Sequence, residues 1–387
     1  MLSELVIHRP FATEAGTRRF ADRHGHDKAA DAFSLAGQLR LSSIGLGTYL
    51  GPATDEADHA YTQAVVDGIR RGINVIDTAS NYRCQRSERA VGRALRQLLA
   101  DGELFRSEVL VTSKAGFVPF EGCPPPDILA YIRAITVERG LCDESELMAG
   151  CHCIAGDYLT ATLEQSRANL GLETIDAYFV HNPETQLQTL DRATFRGRMR
   201  DAFAALEAAA DRGWIRVYGL ATWSGLRAKT HERDYLSLAE LVEIAEEVAG
   251  PRHRFKAVQV PLNLAMPEAY LLPNQMVRGA HLTVLQAAER LGLMVFASSP
   301  LHQGKLIRRQ PGHIPELVAD HHTAGLPPTL VRALQFTRSL PGVVTTLVGM
   351  GSPEHVGDNV RLLRIKRASA AWLAEAAAPC VGAAYSL

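Results

Sequence analysis

Short apolar, β-branched runs recur along the chain, separated by longer stretches with helical spacing. The runs are LSSIGL (Leu41–Leu46), INVIDT (Ile73–Thr78), EVLVTS (Glu108–Ser113), IDAYFVH (Ile175–His181), IRVYGL (Ile215–Leu220), KAVQV (Lys256–Val260), LMVFAS (Leu293–Ser298) and VTTLVG (Val344–Gly349). Between them, DEADHAYTQAVVDGIRRG, GDYLTATLEQSRANLG, RDAFAALEAAADRG and TVLQAAERLG each end in glycine, a common helix stop. PPTLVRALQFTRS opens on prolines, which suit a helix start. Alternating strands and helices predict parallel pairing. Eight such units predict an α/β fold, the (β/α)8 TIM barrel. An open doubly wound sheet is the alternative. It wants G-x-G-x-x-G straight after its first strand, and GLGTYLG (Gly45–Gly51) lacks the third glycine at its place.

Three stretches exceed a bare barrel. Residues 1–40 are a polar N-terminal extension, expected as a lid or an arm over the barrel bottom. Residues 116–156 are a long insertion between strands three and four, rich in proline, cysteine and acids; loops of that length are usually functional or mobile. Residues 362–387 read as a helical tail, which leaves 41–361 for the barrel with its insertion.

Composition narrows the function classes. The 387 residues are 47% hydrophobic and 21% charged, with a formal net charge of −1. Nothing there points to nucleic acid or an anionic membrane. No run approaches the ~18 apolar residues of a membrane span. The N-terminus lacks the apolar core of a signal peptide, so a cytoplasmic address is expected. The six cysteines do not form a disulfide scaffold in a chain this long. Cys142, Cys151, His152 and Cys153 cluster, but no second Cys pair follows; no metal is expected, and free thiols are.

In a barrel of this kind, chemistry sits where the strands end. The second run reaches Asp77, with Tyr82 in the next loop; the third leads to Lys114; the fourth ends at His181. Singly, each has an ordinary reading: a helix cap, a solvated ammonium, a satisfied imidazole. Together they suit proton transfer to a carbonyl oxygen. A free tyrosine has a pKa of about 10 and needs its phenolate stabilised by roughly 4 kcal/mol to exchange a proton near neutrality. A nearby lysine can supply that, an aspartate can hold the lysine, and a histidine can orient the carbonyl. Phosphate-binding turns and metal carboxylates, which a lyase or isomerase barrel needs, are not seen at the strand ends.

These residues lie in segments that resemble the aldo/keto reductase family. DTASNYRCQRSERAVGRAL is similar to its D-T-A-x-x-Y-x-x-x-x-S-E-x-x-x-G-x-A-L, VTSKAGF to its strand-three lysine segment, and SRANLGLETIDAYFVHNPE to its segment ending in a strand-four histidine. SSPLHQGKL resembles S-P-L-x-x-G-x-L, and GMGSPEHVGDN resembles G-x-x-x-P-E-x-V-x-E-N. The resemblance runs from about 41 to 361. It implies a catalytic tetrad of Asp77, Tyr82, Lys114 and His181, with Tyr82 the general acid, and reversible hydride transfer between a nicotinamide cofactor and a carbonyl or alcohol. It also implies a cofactor laid across the barrel mouth. Gly47, Thr48, Tyr49, Asp77, Thr222 and Gln259 would meet the nicotinamide end. Ser298 would also lie at the nicotinamide, and Ser299, Pro300, Leu301, Gly304 and Lys305 would meet the pyrophosphate. Gly349, Ser352, His355, Asp358 and Asn359 would meet the adenosine end.

The chain departs from the family in places. Ala221 and Thr222 replace a usual Ser-Asn, Ser298 replaces an aromatic that stacks on the nicotinamide, and Met350, Gly351 and His355 replace a basic stretch for the 2′-phosphate. The expected cofactor is NADP(H), with NAD(H) the alternative, and Lys305 or Arg308 could supply the missing charge. Arg83 and Arg86 are expected beside the mouth, where they suit an anionic or hydroxylated substrate or simply face solvent. The expected partner is a small carbonyl or alcohol; self-association is open. The function of another class compatible with these residues is a non-catalytic, cofactor-sensing or scaffold protein on the same barrel.

Overall fold

The computed structural model of the chain describes residues 9–308 and 325–386. Its strands are β1 (Phe33–Ala36), β2 (Leu39–Ser42), β3 (Ile44–Gly47), β4 (Val75–Asp77), β5 (Leu110–Ala115), β6 (Ile175–His181), β7 (Ile215–Ala221), β8 (Phe255–Pro261), β9 (Gln275–Val277), β10 (Ala280–Leu282), β11 (Met294–Ser298) and β12 (Val343–Gly349). Its helices are α1 (Glu14–His24), α2 (Asp55–Arg70), α3 (Arg86–Ala100), α4 (Ile128–Ile135), α5 (Gly156–Leu170), α6 (Arg192–Asp211), α7 (Leu238–Ala249), α8 (Glu268–Leu271), α9 (Val284–Arg290), α10 (Lys305–Arg308), α11 (Pro328–Ser339), α12 (Pro353–Arg361) and α13 (Ala370–Ser386). Residues 1–8 of the expected extension and Leu387 of the expected tail lie outside the described residues.

Eight parallel strands close into a barrel in the order β11-β12-β3-β4-β5-β6-β7-β8. This is the (β/α)8 fold, and each of the eight apolar runs supplies one of its strands. Burial on both faces explains why these runs are apolar throughout: β3, β4 and β5 have no exposed residue. Helix ends follow local chemistry. Thr54 accepts from the Ala57 amide at the start of α2, and α5 stops at Gly171, whose φ of 65° favours glycine. At Gly219 a β-carbon would fall 1.8 Å from the Ala257 carbonyl, so only glycine admits the close approach of β7 to β8.

The first run divides. Leu39–Ser42 pairs antiparallel with Phe33–Ala36 in a hairpin, and only Ile44–Gly47 enters the barrel. The Ser42–Ser43 pair supplies the break. Ser42 Oγ donates to the Ile44 carbonyl (2.8 Å), the Ser43 amide to the Ala32 carbonyl (2.8 Å), and Ser43 Oγ accepts from Arg338 Nε (2.8 Å). Serine hydroxyls compete with a ladder in this way. Arg338 is fully buried and also donates to the carbonyls of Leu362 and Ile365 and to Gln335 Oε1; burial brings its pKa down to about 9.

Leu41 and Ala36 of the hairpin, with Ala12, pack into the barrel interior against Val75, Leu110, Phe179, Phe296 and Val344. Val75 and Leu110 begin their strands, so the hairpin fills the N-terminal end and leaves the other end for chemistry. The segment 116–156 leaves β5 on that chemical side. Its two ends are bonded together at the root, Cys153 N to Gly116 O and Val118 N to Cys151 O, both 2.8 Å. No described helix is long and apolar enough to cross a membrane.

Candidate active site

Strand ends gather four side chains of different chemistry. Asp77 ends β4, Lys114 sits near the end of β5, and His181 ends β6. Lys114 Nζ donates to Asp77 Oδ1 (2.8 Å), to Asp77 Oδ2 (2.9 Å) and to the Thr78 carbonyl (2.8 Å). Asp77 Oδ1 also accepts from Thr112 Oγ1 (2.7 Å) and Gln259 Nε2 (2.9 Å). The ammonium lies 4.8 Å from the centre of the Tyr82 ring. The Tyr82 ring is 5.9 Å from that of His181 and 5.0 Å from that of Tyr49. Four of the expected catalytic residues are therefore brought together, with Gln259 and Tyr49 beside them.

Burial sets their protonation. Desolvation pushes the Tyr82 phenol well above its usual value, and the negative charge of Asp77 adds to the push. The phenol is neutral at physiological pH and can donate a proton. Desolvation lowers the Lys114 ammonium, opposed by Asp77. His181 is driven well below the usual imidazole range by burial, then by the Lys114 charge. It is neutral, and its Nδ1 has no hydrogen-bond partner among the described residues.

The remaining expected residues spread along the mouth. Thr48 is buried, and its hydroxyl turns inward to the Asp77 carbonyl (3.1 Å). Gly47 and Gly349 are register partners on β3 and β12, so two adjacent strand ends carry no side chain. Thr222 follows β7 and donates to Glu184 Oε1 (2.8 Å). Ser298 ends β11 half-buried, Pro300 is buried, and Leu301 packs on the core. Ser299, His302, Gln303 and Gly304 have φ between 46° and 80°, in the left-handed region. Lys305 is exposed at the start of α10. Ser352 caps α12 by accepting from the His355 amide (3.4 Å). His355 is exposed, Asp358 lies 3.8 Å from Arg361, and Asn359 is buried with its Oδ1 unpartnered among the described residues. Arg83 and Arg86 are held by carboxylates of α2: Arg83 is buried on Asp58 Oδ1 (2.6 Å), and Arg86 bonds Asp55 and Asp58 (both 2.8 Å).

A family model described as the aldo/keto reductase family matches residues 43–376. The chain belongs to the aldo/keto reductase family. It is accordingly an NAD(P)-dependent oxidoreductase acting on a small molecule. Solved aldo/keto reductases share its fold. One from Klebsiella pneumoniae, in complex with NADP and acetate, is 20% identical over 89% of this chain and 93% of that one, with a TM-score of 0.57. The holo form of one from Bacillus halodurans is 17% identical over 88% and 93%, with a TM-score of 0.56. The thermostable reductase Tm1743, in complex with the inhibitor epalrestat, is 18% identical over 90% and 98%, with a TM-score of 0.58.

In this family member, several residues at the site carry no signal in the sequence patterns. Thr112 supports Asp77 from mid-strand. Glu184 Oε1 accepts from Thr222 and from the amides of Trp223 (2.6 Å) and Ser224 (2.9 Å), which shapes the loop after β7. Trp223, 44% exposed, stands on that loop, as Tyr49 (54%) stands on the loop after β3. Phe117, from the insertion, brings its ring to 5.4 Å from that of His181. Among the described residues no group of three His, Cys, Asp or Glu side chains could hold a metal, and Cys142, Cys151 and Cys153 are free thiols.

Proposed function

We propose that this oxidoreductase is an NADPH-dependent carbonyl reductase, interconverting an aldehyde or ketone with its alcohol, with Tyr82 as general acid in reduction and general base in oxidation. The observation that carries this reading is Lys114, locked by Asp77 and Thr78 with its ammonium over the Tyr82 ring. A cation there stabilises phenolate as it forms, while burial keeps the resting phenol protonated. Neutral His181, its ring 5.9 Å from that of Tyr82, can orient the carbonyl oxygen without competing as an acid. The aromatic groups Tyr49, Phe117 and Trp223 around the mouth favour a substrate with an apolar body.

The residues fit a dinucleotide. A bound nicotinamide supplies the hydride. The bare backbone at Gly47 and Gly349 leaves room for a flat ring, the loop 299–304, with its left-handed residues Ser299, His302, Gln303 and Gly304, and the start of α12 offer amides to phosphates, and the buried Asn359 Oδ1, unpartnered among the described residues, offers an acceptor to an adenine amine. The NADP held by the Klebsiella pneumoniae reductase favours the phosphorylated form. The test is a fluorescence titration with NADPH and NADH followed by a panel of aldehydes and ketones, read as cofactor oxidation. Tighter NADPH binding and turnover of at least one aromatic or aliphatic carbonyl are expected. Tight binding without turnover on any carbonyl would replace this reading with cofactor sensing; no binding of either would reject both.

A further inference from the structure

His152 belongs to the insertion, not to the tetrad, yet it is fully buried directly behind His181. Its Nε2 lies 2.7 Å from the His181 carbonyl, and its Nδ1 lies 2.9 Å from Gln186 Nε2. The proton positions follow from the far end of this chain of bonds. Arg198 can only donate, and its NH1 lies 2.5 Å from Gln186 Oε1. That fixes the Gln186 amide, whose NH2 then donates to His152 Nδ1. The imidazole must carry its proton on Nε2, where it donates to the His181 carbonyl. Burial brings the His152 pKa down to about 4, so the ring is neutral and this tautomer persists at physiological pH.

Two further features bind the insertion to the same point. A β-carbon at Gly116 would sit 2.4 Å from the His181 carbonyl and 3.0 Å from His152 Nε2, so the chain passes against β6 only as glycine. Arg198 NH2 also donates to the Ser145 carbonyl (2.8 Å), so α6 grips the insertion at a second place. Phe117 closes the triangle, its ring 4.9 Å from His152 and 5.4 Å from His181.

We propose that His152 is a positioning residue for His181, and that through it the insertion 116–156 acts as a fixed buttress of the active site. This rests on the carbonyl-reductase reading only for its kinetic readout. The His181 carbonyl terminates β6, and its position sets the depth of the imidazole against Tyr82 and the carbonyl oxygen. Misplacement by about an ångström costs on the order of 10²-fold in rate. Gln at 152 can reproduce both bonds, its amide N–H donating to the His181 carbonyl and its carbonyl accepting from the Gln186 NH2; Ala can reproduce neither.

The test compares His152→Ala, His152→Gln and Gln186→Leu, the last leaving the space behind His181 filled. Two readouts are taken: steady-state kinetics on a carbonyl that the wild type reduces, and the imidazole nitrogen resonances of His181 in the cofactor-free protein. We expect His152→Ala to lose tenfold or more in kcat with KM changed less than threefold, Gln186→Leu to lose less, and His152→Gln to return within threefold of wild type. The His181 resonances should shift in the same order. Unchanged kcat and unchanged resonances in His152→Ala and Gln186→Leu would overturn the proposal. Equal losses in His152→Ala and His152→Gln together with lost NADPH binding would also overturn it, since they mark general disruption. If the wild type turns over no carbonyl, the function proposed above fails, and the His181 resonances alone decide the buttress.

Discussion

Two arcs of the barrel mouth differ in how far they satisfy themselves. On the arc from β4 to β6, the charged atoms of Asp77 and Lys114 are already paired within the protein, while His181 Nδ1 has no partner among the described residues. Lys114 uses its donors on Asp77 and Thr78, and Asp77 Oδ1 collects Thr112, Lys114 and Gln259. On the arc of β11 and β12, Lys305 and His355 are exposed, Ser298 is half-buried, and Asn359 Oδ1 is unpartnered among the described residues. The first arc is preorganised: its charges are held in a buried site before anything binds, and they need little rearrangement for the proposed proton transfer. The second keeps groups that a ligand can satisfy. In the function proposed above, the chemistry is built in on the first arc, and the second arc's grip on the dinucleotide is completed by the dinucleotide.

The contrast can be broken most severely at Lys114. Lys114→Met leaves the Asp77 carboxylate buried without its cation, and we expect a loss of about 3–5 kcal/mol in urea unfolding. Combining it with Asp77→Asn should recover most of that loss; no recovery would mean the pair is not a coupled unit. Acid tests the same arc more gently. The folded His152 pKa, about 4, lies below the unfolded value of about 6.5. The unfolded chain therefore binds the extra proton, and this histidine's contribution falls as pH drops from about 6.5 toward about 4. Between pH 7.5 and 5 it amounts to about 2 kcal/mol. Glu88 and Glu184, raised by burial, act with the opposite sign there, and His181 and His24 with the same sign. The difference between wild type and His152→Gln isolates the imidazole: the variant should lose less stability over that interval. An equal loss would contradict the buried, neutral ring.

On the second arc, effects should be smaller and should appear in binding. Asn359→Leu is expected to weaken NADPH by about tenfold, the worth of one hydrogen bond to a neutral group, while kcat at saturation holds. A matching fall in kcat would erase the division between arcs. Ser352→Ala removes the cap of α12 and should cost about 1 kcal/mol of stability, measured as a shift in the unfolding midpoint, with a mild loss in cofactor affinity.

Much of the first arc was legible in the sequence because it lies on strands. The C-terminal ends of parallel barrel strands lie at one face, so Asp77, Lys114 and His181 could be placed together from the sequence. The barrel itself was legible for the same reason, since strands buried on both faces leave apolar runs. What escaped depends on contacts across long separations. His152 stood among cysteines and drew attention only as a metal ligand; its bonds to His181 and Gln186 join segments about thirty residues apart. Thr112 and Glu184 look like ordinary strand and loop residues. The break at Ser42–Ser43 was hidden because LSSIGL is apolar on both sides of it. Arg83 and Arg86 sit at the mouth in sequence, yet the carboxylates of Asp55 and Asp58 on α2 claim them.

Tyr82 is the proton donor on which the proposed reduction depends. The most direct measurement is kcat for NADPH-dependent carbonyl reduction by Tyr82→Phe, alongside its NADPH dissociation constant. The phenyl ring still fills the space beneath Lys114, Tyr49 and His181 and lacks only the hydroxyl. We predict a fall in kcat of at least ~10²-fold with NADPH binding unchanged within threefold. A fall of less than threefold would remove Tyr82 from the chemistry and contradict the mechanism.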